Sequence, residues 1–194
     1  SGNGQGDLST GQATITLTRN SIVTCVFENT GAGATRTQGF WATHTPLASA
    51  AWLGGAYGRY TLPGVIGTAG IGDKMLCGRT LGLNEVMGGF WSDVSKKTTG
   101  AKRTTLDQAR MQLLQQLLAA ELNAAAFGTI PSSGTVKAWE SAYCGTNQTA
   151  IQNAMQQAAA FNNSGDSAAF TPGTSADSKN ARAIANNVFW DTLP

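Results

Sequence analysis

The sequence predicts an α+β protein in which an N-terminal β-hairpin precedes a mainly α-helical domain of four to five helices. Residues 12–28 alternate between apolar and polar side chains with a period of two, which is typical of strands. Residues 106–126 instead place leucine and alanine at the helical period. A Gly/Thr-rich stretch at 31–38 predicts a linker between these patterns. The predicted units are therefore a strand segment at 1–30, the linker, and a helical domain at 39–194.

The predicted hairpin has one apolar face. Ile15 and Leu17 lie on this face in the first strand. Val23, Cys25 and Phe27 lie on it in the second. A two-stranded hairpin is marginally stable alone in water, and its open edges can pair with other chains. We therefore expect the helical domain, a neighbouring copy or an upstream region to complete the structure.

Apolar residues at helical spacing predict helices at 46–53, 84–91, 106–126, 147–161 and 176–190, with a helical turn at 136–144. The helix at 106–126 carries the strongest signal, with a capping-box pattern at Thr105 and Gln108 and a wide apolar face that predicts a central position. Residues 54–82 are too rich in glycine for a helix and predict irregular chain or short strands. Trp190 is expected to anchor the C-terminus.

The composition excludes several classes of function. Charged residues make up 12% of the chain, where soluble domains average about 25%. The formal net charge of +2 provides no basic field for nucleic acid. No apolar run is long enough to span a membrane. Low charge also weakens the repulsion between copies, which favours self-association.

Three cysteines are present, and none lies in a metal-binding C-x-x-C spacing. Cys77 and Cys144 are each followed by glycine in similar local sequences, which favours a disulfide between them and an oxidising compartment. The alternative is two buried thiols. Cys25 is then either a buried strand residue or a partner for a group outside the chain.

His44 is the sole histidine, so it is the first candidate for a catalytic base or a metal ligand. No G-x-S-x-G nucleophile motif accompanies it, and the acidic residues form no recognisable pair. We therefore expect His44 to bond to backbone at the start of the helix at 46–53 and to pack against Trp41. The five tryptophans favour core packing over a sugar-binding platform. No enzymatic activity, metal or cofactor is predicted.

Several motifs appear in a fixed order: T-Q-G-F-W-A-T-H at 37–44, A-A-W-L-G-G at 50–55, Q-Q-L-L-A-A-E-L-N at 115–123 and an alanine-rich helix at 150–161. Together they resemble a domain of secreted microbial surface proteins whose opening motif is T-x-G-[YF]-W-x-x-H. The residues that match the opening motif are Thr37, Gly39, Phe40, Trp41 and His44. The resemblance implies an extracellular or cell-surface location and no defined enzymatic activity.

The second strand of the hairpin ends in C-V-F-E-N-T, from Cys25 to Thr30. This segment resembles the closing strand of prealbumin-like or collagen-adhesin-B-like repeats, which implies an Ig-like sheet whose other strands are missing or supplied in trans. Some relatives crosslink such a strand through lysine and asparagine, but no lysine precedes Asn29.

These patterns predict an extracellular structural protein, a subunit of a filament, surface layer or biofilm matrix that binds other copies of itself by strand pairing. The alternative is an extracellular module that binds a glycan or a surface protein. A hydrolase centred on His44 is the weakest hypothesis.

Overall fold

The computed structural model describes residues 4–7, 12–15, 33–58, 60–65, 74–131, 134–166 and 177–194. Within them it has α-helices and short antiparallel sheets, so the fold is α+β as predicted. The strands are β1 (Gly4–Asp7), β2 (Gln12–Ile15), β3 (Gly55–Tyr57), β4 (Tyr60–Leu62), β5 (Met75–Leu76) and β6 (Arg79–Thr80). The helices are α1 (Gln38–Trp41), α2 (Thr45–Leu53), α3 (Leu83–Trp91), α4 (Thr105–Phe127), α5 (Thr135–Cys144), α6 (Gln148–Ser164), α7 (Ser178–Ile184) and a C-terminal 3₁₀ helix (Asn187–Asp191).

The first predicted strand is present, but its described partner differs from the predicted one. β2 pairs antiparallel with β1, in a register that places Gly4 opposite Ile15 and Asp7 opposite Gln12. The sequence pattern missed β1 because glycine and aspartate have low strand propensity. Pairing with a neighbouring strand outweighs that propensity here. The predicted second strand, at 22–28, lies outside the described residues.

The end of the predicted linker belongs to the helical domain. Ala34, Thr35 and Arg36 are buried, whereas the glycines and threonines around them predict an exposed connection. Hydrogen bonds to α4 and α6, which the local sequence does not reveal, hold this segment in the interior.

Helix α4 is the centre of the domain, as its apolar face predicts. It packs against α1, α2, α3, α5 and α6, and its leucines at 113, 114, 117, 118 and 122 are fully buried. The capping box predicted at Thr105 and Gln108 is wrong, because the N-cap lies one residue earlier. Thr104 is the N-cap and accepts a hydrogen bond from the backbone N–H of Asp107, while the Gln108 side chain donates to the carbonyl of Arg103. Gly128 ends the helix in the left-handed conformation.

Two helix predictions need correction. The predicted helical turn at 136–144 is a complete helix, α5. The predicted helix at 176–190 is instead α7 followed by the 3₁₀ helix. The break lies at Asn186, whose backbone N–H donates to the carbonyl of Asn84 in α3 and whose side chain donates to Glu85. Val188 would face the same side as Ala181 and Ile184 in a continuous helix, but it is 68% exposed.

The described parts of the glycine-rich stretch at 54–82 form short antiparallel strand pairs, as predicted. β5 and β6 are joined by Cys77 and Gly78, which both have positive φ (52° and 76°), as a tight primed hairpin turn requires. The sulfur of Cys77 is bonded to that of Cys144 at the end of α5. The predicted disulfide is therefore confirmed, and it ties this hairpin to the helical core.

Candidate functional site

The residues of the predicted hairpin that are expected to pair with another copy lie only partly within the described chain. Ile15 ends β2 and pairs with Gly4. The other predicted assembly residues lie outside the described residues; they are Leu17, Val23, Cys25, Phe27 and Asn29. In the part that is described, the sheet contains two strands. Among the described residues, each of these strands therefore has one edge without a strand partner.

The residues of the opening motif form a corner between α1 and α2. Thr37 caps α1 by accepting a hydrogen bond from the backbone N–H of Phe40. His44 stacks on the Phe40 ring with 3.8 Å between ring centroids, and its Nδ1 lies 2.7 Å from the Phe40 carbonyl oxygen. His44 thus bonds to backbone just before α2, as predicted, but it stacks on Phe40 rather than on Trp41. Gly39 is exposed.

This geometry defines what His44 can do chemically. The short contact with the Phe40 carbonyl places the Nδ1 proton there, so Nε2 is the nitrogen that can accept a proton. The Thr43 hydroxyl lies 3.2 Å from the same Nδ1 and also contacts the carbonyls of Gly39 and Phe40. Within the described ranges, no cluster of three or more His, Cys, Asp or Glu side chains could hold a metal ion.

A polar network centred on Asn123 joins the motif corner to the core. Asn123 is fully buried in α4. Its Oδ1 accepts hydrogen bonds from the backbone N–H of Arg36 (2.7 Å) and from Trp41 Nε1 (3.0 Å). Its Nδ2 donates to the carbonyl of Arg36 and to Asn162 Oδ1, both at 2.9 Å. All four hydrogen-bonding positions of the Asn123 amide are therefore satisfied.

The network continues through Asn162 and Thr35. Asn162 Nδ2 donates to the backbone and side-chain oxygens of Gln116 in α4. The Thr35 hydroxyl donates to the carbonyl of Asn162 (2.9 Å) and accepts from the backbone N–H of Gly165 (2.8 Å). Residues 35 and 36 are therefore held between α4 and the end of α6.

A second group of contacts holds the C-terminus against the disulfide hairpin. The Arg79 guanidinium stacks on the Phe189 ring, with 3.7 Å from its central carbon to the ring centroid. It also donates to the carbonyls of Thr192 (2.6 Å) and Phe189 (2.7 Å). Trp190 is buried and donates to the carbonyl of Glu85 (2.7 Å), which confirms the predicted anchor.

Tyr143, just before the disulfide, is an unusual buried group. Its hydroxyl has no hydrogen-bond partner among the described residues. Burial raises the pKa of this phenol well above its ordinary value, although the nearby guanidinium groups of Arg79, Arg110 and Arg103 act in the opposite direction. The folded protein therefore retains the Tyr143 proton at pH values where the unfolded chain loses it.

We expect Tyr143→Phe to leave stability at pH 7 unchanged or to raise it by about 1 kcal/mol, because the change removes a buried hydroxyl without a partner. Stability that depends on the neutral phenol is present below pH ~10 and declines as the pH rises above it. Urea unfolding from pH 8 to 11 should therefore show a smaller alkaline loss for Tyr143→Phe than for the parent chain. Exposed Tyr60→Phe is the control, and an equal alkaline loss in the parent and Tyr143→Phe chains would contradict the assignment.

The sequence reasoning missed most of the network. Asn123 could have been found, because it is a polar residue within the leucine-rich helix α4. Thr35 and Arg36 carried no such signal, since they lie in a stretch with the composition of a linker. Asn162 lies 39 residues from Asn123 in the chain, and no local pattern connects the two.

No known protein family, characterised protein or solved structure matches this chain. The resemblance to secreted microbial surface proteins therefore stays a prediction. Among the described helices, none combines the length and apolar character needed to cross a bilayer.

Proposed function

We propose that the chain is an extracellular structural protein, a subunit of a filament, surface layer or biofilm matrix that assembles by strand pairing between copies. The observation that carries this proposal is the sheet of β1 and β2, which has two strands in the described part of the chain. A strand edge without a partner offers a row of backbone N–H and C=O groups to another chain. A second copy that adds strands to this edge would extend the sheet and link the subunits.

The finer form of the proposal is a prealbumin-like sheet completed in trans. It is supported by the C-V-F-E-N-T segment at 25–30, which resembles a closing strand. A closing strand without the rest of its sheet requires strands from elsewhere, because isolated hairpins are marginally stable in water.

Two further features suit a subunit outside the cell. The bond between Cys77 and Cys144 persists in oxidising compartments. The low content of charged residues, 12%, weakens the repulsion between neighbouring subunits. The hydrogen bonds of the Thr35 hydroxyl also suit a subunit that carries load, since they hold residue 35 against the end of α6.

A proline in β2 tests the proposal in the full-length chain. We expect Thr14→Pro to block assembly, because proline removes a backbone donor from the ladder and is incompatible with a central strand. Thr14→Val is the matched control, since valine favours strands and keeps the N–H group. Light scattering and negative-stain electron microscopy should show polymers for the parent and Thr14→Val chains and monomers for Thr14→Pro.

The circular dichroism of the helices should be the same in all three chains. A chain lacking residues 1–30 should likewise stay monomeric with its helical signal intact. A parent chain that remains monomeric at high concentration would refute the proposal, and so would a Thr14→Pro chain that assembles as readily as the parent.

A further inference from the structure

Half of the lysines in the chain lie in one short hairpin. The chain has lysines at 74, 96, 97, 102, 137 and 179, and three of these lie within residues 95–103, which we call the lysine hairpin. Lys96 and Lys102 lie directly opposite each other in an antiparallel bridge. Both are exposed, and Lys97 is partly exposed.

The lysine hairpin is held in one shape by its own backbone. Lys97 N–H donates to the carbonyl of Ala101, Gly100 N–H donates to that of Lys97, and Arg103 N–H donates to that of Ser95. Gly100 takes the positive φ (84°) that the turn requires. A ligand would therefore meet a preformed loop, and little backbone conformational entropy would be lost on binding.

The buried side chain of Arg103 fixes the base of the hairpin. Its Nε donates to the carbonyls of Asp93 and Lys96, and its Nη1 donates to that of Trp190 (2.7 Å). The hairpin is therefore attached both to the end of α3 and to the C-terminal 3₁₀ helix.

The carboxylates beside the hairpin are already engaged. Asp93 accepts hydrogen bonds from the backbone N–H groups of Ser95 and Lys96 and from the Ser95 hydroxyl, which lower its pKa. Asp191 accepts from the backbone and hydroxyl of Thr98 and lies 3.7 Å from Arg103. Among the described residues, neither carboxylate forms a salt bridge with a lysine of the hairpin.

The local charge is therefore positive. Four cations, at 96, 97, 102 and 103, face two carboxylates, at 93 and 191, which leaves an excess equal to the formal net charge of the whole chain, +2. Like charges placed directly opposite each other in a strand pair are destabilising. A bound anion would relieve the repulsion between Lys96 and Lys102.

We infer that the lysine hairpin is a contact surface for an anionic polysaccharide, such as a polyuronate. A linear polymer with one carboxylate on each sugar can meet two or three ammonium groups at once, and lysine binds such groups as a compact point charge. The inference extends the proposed function and rests on it for the biological setting, since a matrix subunit needs a contact with the matrix polymer.

Other polyanions fit this surface less well. Single-stranded nucleic acid binds through exposed aromatic rings, but Arg182 lies over the ring of Trp91, Arg79 lies over that of Phe189, and Trp190 is buried. A membrane surface favours apolar side chains beside the cations, and Ala101 is the sole aliphatic residue of the lysine hairpin.

Three lysines predict weak binding by one subunit and strong dependence on salt. Assembly would multiply the contact, because a polymer of subunits places many such hairpins along one polysaccharide chain. Assembled parent protein should therefore bind more tightly than the monomeric Thr14→Pro chain, although both should bind through the same lysines.

The test measures the binding of full-length chains to alginate, with neutral dextran as the control polymer. The hairpin variant carries Lys96→Gln, Lys97→Gln and Lys102→Gln. A control variant with the same net charge carries Lys74→Gln, Lys137→Gln and Lys179→Gln. We expect the hairpin variant to lose at least about tenfold in alginate affinity and the control variant to stay within about threefold of the parent. Raising the salt from about 50 to about 200 mM should weaken binding by the parent roughly tenfold.

Equal losses in the two triple variants would overturn the inference, as would parent binding to dextran as tight as to alginate. Tighter binding to duplex DNA or to phosphatidylglycerol vesicles than to alginate would also overturn it. Light scattering of the same samples separates this inference from the proposed function. Lysine-dependent binding by a parent chain that never assembles would refute the assembly proposal alone, whereas assembly without lysine-dependent binding would refute the polysaccharide contact alone.

Discussion

Asn123→Ala should cost about 4 kcal/mol of unfolding free energy. The change removes both ends of a buried amide that makes four hydrogen bonds. It leaves the backbone N–H and carbonyl of Arg36 and the indole N–H of Trp41 without that partner. Each buried polar group left unsatisfied costs about 1–3 kcal/mol. For a domain of this size we expect the melting temperature to fall by roughly 8–16 °C.

Thermal unfolding followed by circular dichroism measures this effect. Asn153→Ala is the matched control, because Asn153 is an exposed residue of helix α6 and the chemical change is identical. Alanine is the better helix former, so the control should melt at the parent temperature or slightly above it. If Asn123→Ala melts within 3 °C of the parent, the network does not hold the domain together.

A second substitution tests whether the hydrogen bonds around Asn123 stabilise the domain cooperatively. Thr35→Val keeps the shape of the side chain but removes the hydroxyl that joins Asn162 to Gly165. Thr35 and Asn123 share Asn162 as a partner, so their losses should not add. We expect the double variant to lose less stability than the sum of the two single variants.

The network matters for the proposed function because of its position in the chain. Thr35 and Arg36 are buried at the start of the described helical domain, and their partners belong to α4 and to α6 and its C-terminal end. Tension on an assembled strand would pass along the chain through these residues. A buried, fully satisfied network resists local opening better than an exposed connection would.

The helical core could be predicted from the sequence because its signal is local. Leucine and alanine recur at the helical period throughout α4, and in the structure residues 117–125 of this helix are all buried. Helix α5 was underestimated, although Val136, Trp139 and Tyr143 are three and four residues apart and all buried. That spacing was a readable signal of a full helix.

The parts that could not be predicted depend on contacts between distant residues. The predicted C-terminal helix breaks at Asn186 because its backbone N–H bonds to Asn84, far away in the chain. The burial of Arg36 likewise depends on Asn123, 87 residues away. A periodic pattern reports which face of an element is apolar, but it does not report which distant polar group will meet that face.

The motif corner was predicted correctly in one respect and incorrectly in another. The helix predicted at 46–53 begins one residue earlier, at Thr45, and His44 bonds to backbone there as predicted. The predicted aromatic partner of His44, Trp41, was wrong because the pattern W-x-x-H suggests a contact between residues three apart. Phe40 and His44 are four residues apart and stack with an interplanar angle of 11°.

Gly88→Ala should be among the most damaging single-methyl changes in the chain. A Cβ at Gly88 would lie 2.3 Å from the carbonyl oxygen of Asn186 and 2.6 Å from its carbonyl carbon. These are backbone atoms, and Asn186 is held by its hydrogen bonds to Asn84 and Glu85. Neither α3 nor Asn186 can therefore move away without a loss of stability. Overpacking of this kind costs about 3 kcal/mol or more.

Gly39→Ala is the matched control and also tests the opening motif. Gly39 lies in helix α1, and the nearest heavy atom to an added Cβ would be the Thr37 hydroxyl oxygen at 3.9 Å. Alanine should be accepted there with no loss, or with a gain of up to about 1 kcal/mol, because it is the better helix former. The unfolding free energies of Gly88→Ala and Gly39→Ala, measured in urea, should therefore differ by about 3 kcal/mol or more.

The site of the damage can be measured as well as its size. Gly88 packs against the break before the 3₁₀ helix, so the added methyl group should push the C-terminal segment away from α3. That movement would expose Trp190, whose indole donates to the Glu85 carbonyl, and would loosen the hold of Arg79 on Thr192. Gly88→Ala should therefore show red-shifted tryptophan fluorescence and faster digestion by carboxypeptidase, with Gly39→Ala unchanged in both. A Gly88→Ala chain with parental stability and a protected C-terminus would mean that the contact between α3 and Asn186 is looser than its geometry requires.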